Sequence, residues 1–442
     1  MPIIDLVSSD SDLLKKTTVV VIGGGIIGVA TAIELAERGV SVVLLEKGII
    51  AGEQSSRNWG WCRQMGRDSR EIPLVLESLK LWRGMNARVG AETGFRECGI
   101  VYLAETEAEL AAKEKWCAEN AKPYGLDTRL VSGAEADRLQ PGSTRKWKGA
   151  LYTSADGRAE PFLAVPAMAR HAQKLGVKIF QNCAVRGVET SAGKITSVVT
   201  EKGTIACEQV VLAGGAWSRR FLHNLGIEFP QLTVVNSVMR TATLDTGLEK
   251  TGSGGKFTFR KRLDGGYTIT HRHFSVADLM PDSFRLLFRF LPALKLDWSG
   301  IRLRLGKRFL DEARLKRRWR LDERSPFEEV RILDPEPVYS ILDEAAASLR
   351  DYYPRFQSMQ IVERWAGVID ATPDVVPVIS PLQKLSGLFL ASGFSGHGFG
   401  LGPGAGKLMA QLVTGEGPCV DPSPFQYSRF FDGSKPRPTT GF

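Results

Sequence analysis

A glycine-rich turn near the start of the chain is the first place where residue type and spacing indicate chemistry. The turn reads Gly23-Gly-Gly25-Ile-Ile-Gly28, and Glu46 follows eighteen residues after its last glycine. In a G-x-G-x-x-G turn the first glycine permits the tight bend, the second lets the backbone approach a pyrophosphate, and the third lets helix and strand pack closely. Glu46 could accept hydrogen bonds from an adenosine ribose, and its charge disfavours the 2′-phosphate of NADP. The pattern predicts a dinucleotide site.

The segments around this turn have the pattern of a strand–helix–strand unit. TTVVVIG is an apolar, β-branched run typical of a strand buried on both faces, VATAIELAERG has helical spacing and ends at Gly39, and SVVLLE is a second buried strand. In this setting the motif is far more specific than it is alone, although a turn without a ligand remains the alternative. The unit does not distinguish NAD from FAD. No second such unit follows, since TGSGGK at 251–256 lacks the flanking pattern. One unit favours a single FAD that the substrate itself reduces.

Composition narrows the class of protein. The 442 residues are enough for two or three domains, and 43% of them are hydrophobic, which is ample for buried cores. The six cysteines are scattered without a CxxC pair. We therefore expect neither a metal site nor a disulfide scaffold, and we expect the protein to reside in a reducing compartment. The first residues lack a basic segment followed by an apolar run, and no stretch approaches a spanning helix. We expect a cytoplasmic protein, soluble or attached peripherally to the inner face of a membrane.

Positive charge is concentrated in the stretch 302–320, RLRLGKRFLDEARLKRRWR. It holds nine Lys or Arg and two acidic residues (9 − 2 = +7), whereas the whole chain carries +9. On a helical wheel Leu305, Phe309, Ala313 and Trp319 share one side, which predicts a basic amphipathic helix. Such a helix could lie on an anionic membrane and bring the protein near membrane quinone, pack on the core as a solvated helix, or dock an acidic soluble electron acceptor. We expect no nucleic-acid binding, because no binding fold accompanies the charge.

Three further stretches complete a family pattern. They are KGIIAGEQSSRNWGWCRQMGRD at 47–68, VLAGGAWS at 211–218 and GFSGHGFG at 393–400. With the front unit they resemble the D-amino-acid oxidase, glycine oxidase and sarcosine oxidase family of FAD enzymes. Within that family the chain is most similar to the bacterial membrane-associated L-amino-acid deaminases. The resemblance runs from about Thr17 to Phe430.

The resemblance implies an α/β protein in which a Rossmann-type FAD-binding domain is interleaved with a mixed-sheet substrate domain. The FAD domain would be discontinuous, formed by 17–90, 155–230 and 359–430. The substrate domain would comprise 91–154 and 231–358, with a basic insertion at 281–330 that the deaminase branch also carries.

The resemblance also implies which residues contact FAD. Ser55, Ser56 and Arg57 would meet the phosphates, Val185 the adenine, the segment 58–61 the isoalloxazine ring, and the glycines of 396–400 its pyrimidine end. The full expected set is Gly23, Gly25, Ile26, Ile27, Gly28, Glu46, Lys47, Ser55, Ser56, Arg57, Trp59, Gly60, Trp61, Val185, Gly214, Trp217, Gly393, Gly396, His397, Gly398, Phe399 and Gly400.

For catalysis the resemblance indicates Arg272, Arg63, Trp61 and His397. The planar fork of an arginine matches the carboxylate of an amino acid. Arg272 stands where the deaminase branch has its carboxylate-binding arginine, and Arg63 aligns with an active-site arginine of the sarcosine oxidase branch. Lys256 and Arg260 are further options. Trp61 could wall the active site or pack in the core, and His397 could serve only as a backbone-positioning residue.

The implied reaction is oxidative deamination of an amino acid. Hydride would pass from the amine-bearing carbon to flavin N5, and the resulting imine would hydrolyse to a keto acid and ammonia. O2, membrane quinone or another acceptor would take the electrons. Two alternatives stay open: oxidation of a secondary amine such as an N-methyl or cyclic amino acid, and a non-catalytic flavin subunit for electron transfer.

Two positions depart from the sarcosine oxidase branch. That branch attaches its flavin to a cysteine five residues before a Thr-Pro-Asp; here Thr372-Pro-Asp is preceded at that distance by Gly367, so we predict non-covalent FAD. Its oxygen-activating lysine is replaced here by Thr268. The missing cation favours a dehydrogenase that passes electrons to an acceptor other than O2.

Overall fold

The computed structural model describes residues 2–439, which fold around two large sheets. The strands, in chain order, are β1 (Val19–Ile22), β2 (Val42–Leu45), β3 (Trp61–Cys62), β4 (Arg96–Glu97), β5 (Ile100–Ala104), β6 (Arg129–Ser132), β7 (Gly149–Thr153), β8 (Gly157–Arg158), β9 (Lys178–Phe180), β10 (Val185–Ser191), β11 (Lys194–Thr200), β12 (Gly203–Ala206), β13 (Gln209–Leu212), β14 (Leu232–Thr241), β15 (Thr251–Gly254), β16 (Phe257–Lys261), β17 (Tyr267–His271), β18 (Ser275–Asp278), β19 (Ile301–Arg304), β20 (Ile361–Ala371), β21 (Val378–Pro381) and β22 (Leu388–Ser392). The α-helices are α1 (Ile26–Glu37), α2 (Gln54–Arg57), α3 (Ile72–Arg83), α4 (Met85–Val89), α5 (Glu107–Trp116), α6 (Gly133–Leu139), α7 (Pro161–Lys174), α8 (Ser218–Asn224), α9 (Pro281–Arg285), α10 (Leu287–Leu296), α11 (Lys307–Arg314), α12 (Pro326–Glu329), α13 (Tyr339–Tyr352) and α14 (Gly398–Thr414).

The first sheet has the parallel order expected of a dinucleotide-binding domain. Its six strands follow the order β21-β22-β13-β1-β2-β9, and β22, β13, β1, β2 and β9 run parallel. The apolar runs VVVI and VVLL form β1 and β2, which are almost fully buried because helices cover the sheet. Helix α1 connects these two strands and packs against α7 and α14. The predicted strand–helix–strand unit is therefore present.

The second sheet is mixed and has ten strands. Nine follow the order β19-β18-β14-β17-β16-β15-β5-β7-β6, and β20 pairs antiparallel with β14 along nearly its whole length. The pairing of β20 differs from the predicted boundary, because the third FAD segment was expected to begin at 359 and yet this strand belongs to the substrate sheet. The other domain boundaries stay a prediction.

The basic stretch does not form the predicted amphipathic helix, and that prediction is wrong. It is divided into β19, the short helix α11, and an irregular segment from 315 onward. Trp319 is buried: its Nε1 donates to the carbonyl of Arg186 at 2.7 Å, and its ring meets Phe327 edge-on with centroids 5.3 Å apart. Leu305, expected on the same apolar side, is exposed instead. Helix α11 begins only after Gly306, its N-cap residue, since glycine is unfavourable inside a helix.

None of the helices within residues 2–439 has the length and apolar character needed to cross a membrane. No group of three or more His, Cys, Asp or Glu side chains in this part of the chain could hold a metal ion.

Candidate active site

A cavity of about 830 Å³ begins at the glycine turn after β1 and extends to the turn after β17, beneath α10. Side chains of both large sheets line it, so the interleaved topology is what assembles this site. Its size is in the range of small-molecule and cofactor pockets.

The glycine turn leaves no room for side chains. Gly23 has φ +113°, and a Cβ there would lie 2.4 Å from the carbonyl oxygen of Ala213. A Cβ on Gly28 would lie 2.0 Å from the carbonyl oxygen of Gly23. The backbone can therefore approach a ligand where the positive end of α1 points. Ser55 closes the turn from the other side, since its Oγ accepts a hydrogen bond from the Ile26 amide at 2.9 Å.

Glu46 stands at the end of β2, beside the turn. Its two carboxylate oxygens accept hydrogen bonds from the amides of Gly24 and Gly48, both at 2.7 Å. Burial raises the pKa of this carboxyl, although Lys47 and both amides act in the opposite direction. Lys47 donates to Glu53 at 2.7 Å and lies 4.5 Å from the centre of the Trp217 ring, so it fixes that wall.

Arg57 is a buried cation in the wall. It donates to Asp334 and to the carbonyl of Ala366, and its Nη2 is buried without a hydrogen-bond partner. A guanidinium nitrogen left in this state is a position where an anionic ligand oxygen would be stabilised. Ser56 points elsewhere: it is fully buried, and its hydroxyl is turned to the carbonyl of Glu53 at 3.3 Å.

The aromatic wall consists of Trp59 and Trp61, whose rings meet at 78° with centroids 5.6 Å apart. The backbone between them is fixed from behind, because Arg260 donates through Nε to the carbonyl of Trp59. Arg260 also forms two hydrogen bonds with Glu160, at 2.8 and 2.9 Å. Arg260 is therefore engaged and does not line the cavity. Lys256 is exposed and pairs with Glu344, and it does not line the cavity either.

His397 precedes α14 and lines the cavity together with Gly396, Gly398 and Phe399. Its Nδ1 lies 2.8 Å from a carboxylate oxygen of Glu71, which is fully buried. Burial and the Arg67 charge lower the pKa of this imidazole, although Glu71 acts against them. The imidazole is therefore neutral near pH 7.

Five arginines line the cavity: Arg57, Arg63, Arg67, Arg272 and Arg331. Arg272 follows β17, and its side chain is only 7% exposed; Nη1 lies 3.2 Å from Glu109, yet Nε and Nη1 are buried without a hydrogen bond. Arg63 donates to the carbonyl of Met65, and its guanidinium lies over the Tyr102 ring with 5.7 Å to the centroid.

Arg67 also lines the cavity, but it was not among the site residues predicted from the sequence. It is 3% exposed, its Nη1 has no hydrogen-bond partner, and burial lowers its pKa to about 10. The loop between Arg63 and Arg67 is held by Asp156, which accepts from the Gln64 amide at 2.7 Å and whose pKa burial raises to about 7. The signal that could have found Arg67 is its place four residues after Arg63.

Most of the residues predicted from sequence meet at this cavity. Those that line it are Gly23, Gly25, Ile26, Ile27, Glu46, Lys47, Ser55, Arg57, Trp59, Trp61, Arg63, Val185, Gly214, Trp217, Arg272, Gly396, His397, Gly398 and Phe399. Five lie behind the wall: Gly28, Ser56, Gly60, Gly393 and Gly400. Of these, Gly28 and Gly60 shape the backbone. Thr268 is buried in its sheet and does not line the cavity.

Comparisons with known proteins agree with this arrangement. Residues 18–412 match the FAD dependent oxidoreductase (DAO) family. The chain belongs to this family. The L-amino acid deaminase from Proteus vulgaris is 36% identical, with a TM-score of 0.93 and coverage of 96% of this chain and 100% of that one. The deaminase from Proteus myxofaciens, solved in complex with anthranilate, is also 36% identical, with a TM-score of 0.93 and coverage of 97% and 96%. The glycine oxidase from Pseudomonas aeruginosa is 25% identical, with coverage of 92% and 97%.

Membership confirms the family resemblance, the fold class and the cofactor. The protein is an FAD-dependent oxidoreductase of the DAO family. The residues of the cavity also fit FAD independently of the comparisons, because its wall includes the glycine turn, where a Cβ on Gly23 would lie 2.4 Å from the Ala213 carbonyl oxygen, the unpaired guanidinium nitrogen of Arg57 and the backbone around Gly398. An electron acceptor is implied by the chemistry.

Proposed function

We propose that the protein oxidatively deaminates an α-amino acid whose carboxylate is bound by Arg272. The observation that carries this proposal is the state of the Arg272 guanidinium. It is nearly inaccessible to solvent, it lines the cavity, and two of its nitrogens lack hydrogen-bond acceptors. A buried cation whose donors lack acceptors lowers the stability of the protein unless a bound ligand accepts those hydrogen bonds. A carboxylate has the geometry to accept two of them.

Glu109 does not replace such a ligand. It holds Arg272 in place as an ion pair, but it also accepts from the Glu105 amide at 2.7 Å. Burial would raise the pKa of Glu109, yet the Glu105 amide and Arg272 together lower it, so the ionised carboxylate is favoured and can hold Arg272 in position. The Proteus myxofaciens deaminase was solved in complex with anthranilate, a ligand that carries a carboxylate group. This agrees with a cationic site in the cavity of the present protein.

FAD, when bound, supplies the hydride acceptor that the oxidation needs. The residues of this chain bind and orient the substrate and take up a proton from it. Trp59 and Trp61 exclude water and bound the substrate side chain. An amino acid enters with an ammonium group, and the amine must lose a proton before it can give up hydride. His397 is placed for this task, because Nδ1–H donated to Glu71 leaves a lone pair on Nε2.

Anaerobic mixing with amino acids tests the proposal. An amino acid substrate should abolish the absorption of oxidised flavin in the wild type, whereas a non-catalytic electron-transfer subunit would show no change with any amino acid or amine. In Arg272→Met we expect kcat/KM to fall by about 10²–10³, since two charge-assisted hydrogen bonds are lost. Arg272→Lys should recover part of the loss, and it should do so mainly in KM.

Arg145→Met is the matched control, because Arg145 is an exposed arginine that pairs with Asp351 far from the cavity. If Arg272→Met kept the same kcat/KM as this control, the proposal that Arg272 binds the carboxylate would be wrong.

Oxidation of a secondary amine is the second candidate, and the position of Arg63 favours it. Arg63 lines the same cavity, and its guanidinium packs on Tyr102 rather than standing free. If N-methyl or cyclic amino acids reduced the flavin faster than primary ones, and Arg63→Met removed more activity than Arg272→Met, this candidate would replace the first.

We further propose that the insertion contacts an anionic membrane surface and receives the electron acceptor there. Helices α9 and α10 expose Phe284, Leu287 and Phe288, the last of which is 84% exposed, and the following turn exposes Trp298. Arg285, Arg289 and Lys295 flank them. Phe284 and Leu287 also line the cavity, together with Phe290, Ala293 and Leu294 of α10, so a membrane-dissolved quinone would find the site close to the contact. Each basic residue near such a surface contributes about 1 kcal/mol at most.

Flotation with vesicles that contain anionic lipid at low salt tests this contact. The enzyme should rise with the vesicles, and Phe288→Ser should weaken the association. Val362→Ser is the control, because Val362 is also exposed but lies on β20. Enzyme that stays at the bottom of the gradient contradicts the membrane contact without affecting the deamination proposal.

A further inference from the structure

A second cavity of about 190 Å³ lies where the insertion meets the FAD domain. Helices α8, α9 and α11 and the segment after α11 enclose it, and its walls include Arg219, Arg220, Arg285, Arg308 and Arg317. We call it the arginine cleft. Trp217, Leu232 and Thr233 line both this cleft and the large cavity, so the two are separated by a single layer of side chains.

The carboxylates of the cleft cannot balance its cations. Two acidic side chains, Asp282 and Glu312, line it. Asp282 is shared by three arginines: Arg219 at 2.7 Å, Arg285 at 2.9 Å and Arg317 at 3.5 Å. Glu312 is bound by Arg220 at 2.6 Å. Five arginines against two carboxylates leave three positive charges in excess (5 − 2 = 3).

Arg308 is the cation with the least compensation. Its Nη2 donates to the Thr233 hydroxyl at 3.3 Å, while Nε and Nη1 are buried without a hydrogen bond. Asp278 lies 3.6 Å away, but that carboxylate already forms two hydrogen bonds with Arg304, at 2.6 and 3.1 Å. Arg308 therefore has two buried donor nitrogens, Nε and Nη1, without a hydrogen-bond acceptor.

The crowded positive charges also shift the pKa values of neighbouring groups. Burial lowers the pKa of Arg317; Asp282 opposes this, and Arg285, Arg219 and Arg220 lower it further. Burial and the charges of Arg317 and Arg219 likewise lower the pKa of His223, another lining residue. Like charges at such distances repel strongly in a partly enclosed site, and an anion bound among them would relieve that repulsion.

We infer that the arginine cleft binds a phosphate group, with Arg308 as its central donor. A tetrahedral oxyanion offers several acceptors to guanidinium groups that converge from different helices. The cleft is large enough for such a group and far smaller than the cavity that takes the dinucleotide. The phosphate could come from a free phosphate ester or from the headgroup of an anionic lipid, since the exposed apolar side of α9 and α10 begins at the rim of the cleft.

Calorimetric titration of the FAD-loaded enzyme with inorganic phosphate is the first arm of the test, with chloride at matched ionic strength as the reference. Sedimentation with phosphatidylcholine vesicles, with and without phosphatidylglycerol, is the second arm. We expect Arg308→Met to weaken binding by about tenfold or more, since a charge-assisted contact is lost. The protein should stay folded because Arg304 still neutralises Asp278. Arg317→Met, on the rim, provides a second variant if Arg308→Met does not retain its flavin.

Arg320→Met is the matched control. It removes one positive charge from the same segment, but Arg320 is 76% exposed and pairs only with Asp322 among residues 2–439. Phosphate binding without vesicle binding identifies a free ester as the source. Vesicle binding that Arg308→Met weakens and Arg320→Met does not identifies a lipid headgroup. Equal losses in both variants, or no binding in either arm, would overturn the inference, because attraction by net charge alone would then account for all binding.

Discussion

Replacing His271 by asparagine should change how the stability of the enzyme responds to acid. His271 ends β17 and directly precedes Arg272. Its Nδ1 accepts hydrogen bonds from the amides of His273 at 3.1 Å and Phe274 at 3.3 Å, and its ring stacks on Phe274 with centroids 4.6 Å apart. Protonation at Nδ1 would remove both acceptor interactions and release the turn that holds Arg272.

The size of the effect follows from the pKa of the imidazole. Burial is the largest cause that lowers it; Glu344 opposes this, and His273, Arg302 and Lys256 add to it, to a final value of about 4 against the ordinary 6.5. The side chain is 1% exposed, so solvent screens little of this shift. A difference of 2.5 pKa units (6.5 − 4) corresponds to about 3 kcal/mol. Because the unfolded state binds the proton more tightly, this contribution is complete above 6.5 and is lost as the pH falls from 6.5 to about 4.

Urea unfolding of the FAD-loaded enzyme at several pH values measures the effect. The amide oxygen of the new asparagine can accept at the position of Nδ1 but cannot be protonated, so His271→Asn should lose stability near pH 7 through the missing ring stacking. Between about pH 7 and pH 4 the free energy of unfolding of the variant should gain on the wild type by about 3 kcal/mol. His171→Asn is the comparison variant: burial lowers the pKa of that imidazole as well, but it lies on α7, away from Arg272, and is 15% exposed, so its gain in acid should be smaller. Parallel pH curves for wild type and His271→Asn would refute the assignment of a neutral, Nδ1-accepting imidazole.

Three further predictions concern the cofactor. Gly28→Ala should yield protein with little bound flavin, measured as the ratio of flavin to protein absorption, because the added Cβ would lie 2.0 Å from the Gly23 carbonyl oxygen; Gly417→Ala, where nothing lies within 4 Å, should keep its flavin. Acid precipitation should release FAD into the supernatant, because Gly367 offers no thiol for attachment, and a yellow pellet would contradict non-covalent binding. In stopped flow the reduced enzyme should be reoxidised faster by a quinone analogue than by air, and rapid oxidation by air would reverse this expectation.

The cofactor half of the site could be predicted from sequence because its residues are local. The turn 23–28 and Glu46 belong to one strand–helix–strand unit, and their spacing alone fixes their geometry. The partner of His397 could not be predicted in this way, since Glu71 is 326 residues away in the sequence. No local pattern around either residue indicates that the two side chains are in contact. Only the packing of α14 against α3 brings them together.

The prediction for 302–320 failed for a different reason. A helical wheel assumes that every residue of the stretch adopts helix geometry, but Gly306 interrupts the pattern and Trp319 finds a buried acceptor in the Arg186 carbonyl. Periodicity reports what a stretch could do alone, whereas tertiary contacts decided what this one does. The exposed apolar side that the wheel assigned to this stretch is supplied largely by α9 and α10, upstream of it.

The polypeptide passes from one large sheet to the other four times: after β2, β7, β13 and β20. Neither sheet can be cut out of the chain as a continuous piece: the second is complete only once β20 is made, and the first only once β21 and β22 follow the last crossing. A newly made chain thus cannot present a finished half of the molecule before nearly all of it is synthesised. Fragments ending at any one crossing should leave unpaired strand edges, which are sites of aggregation.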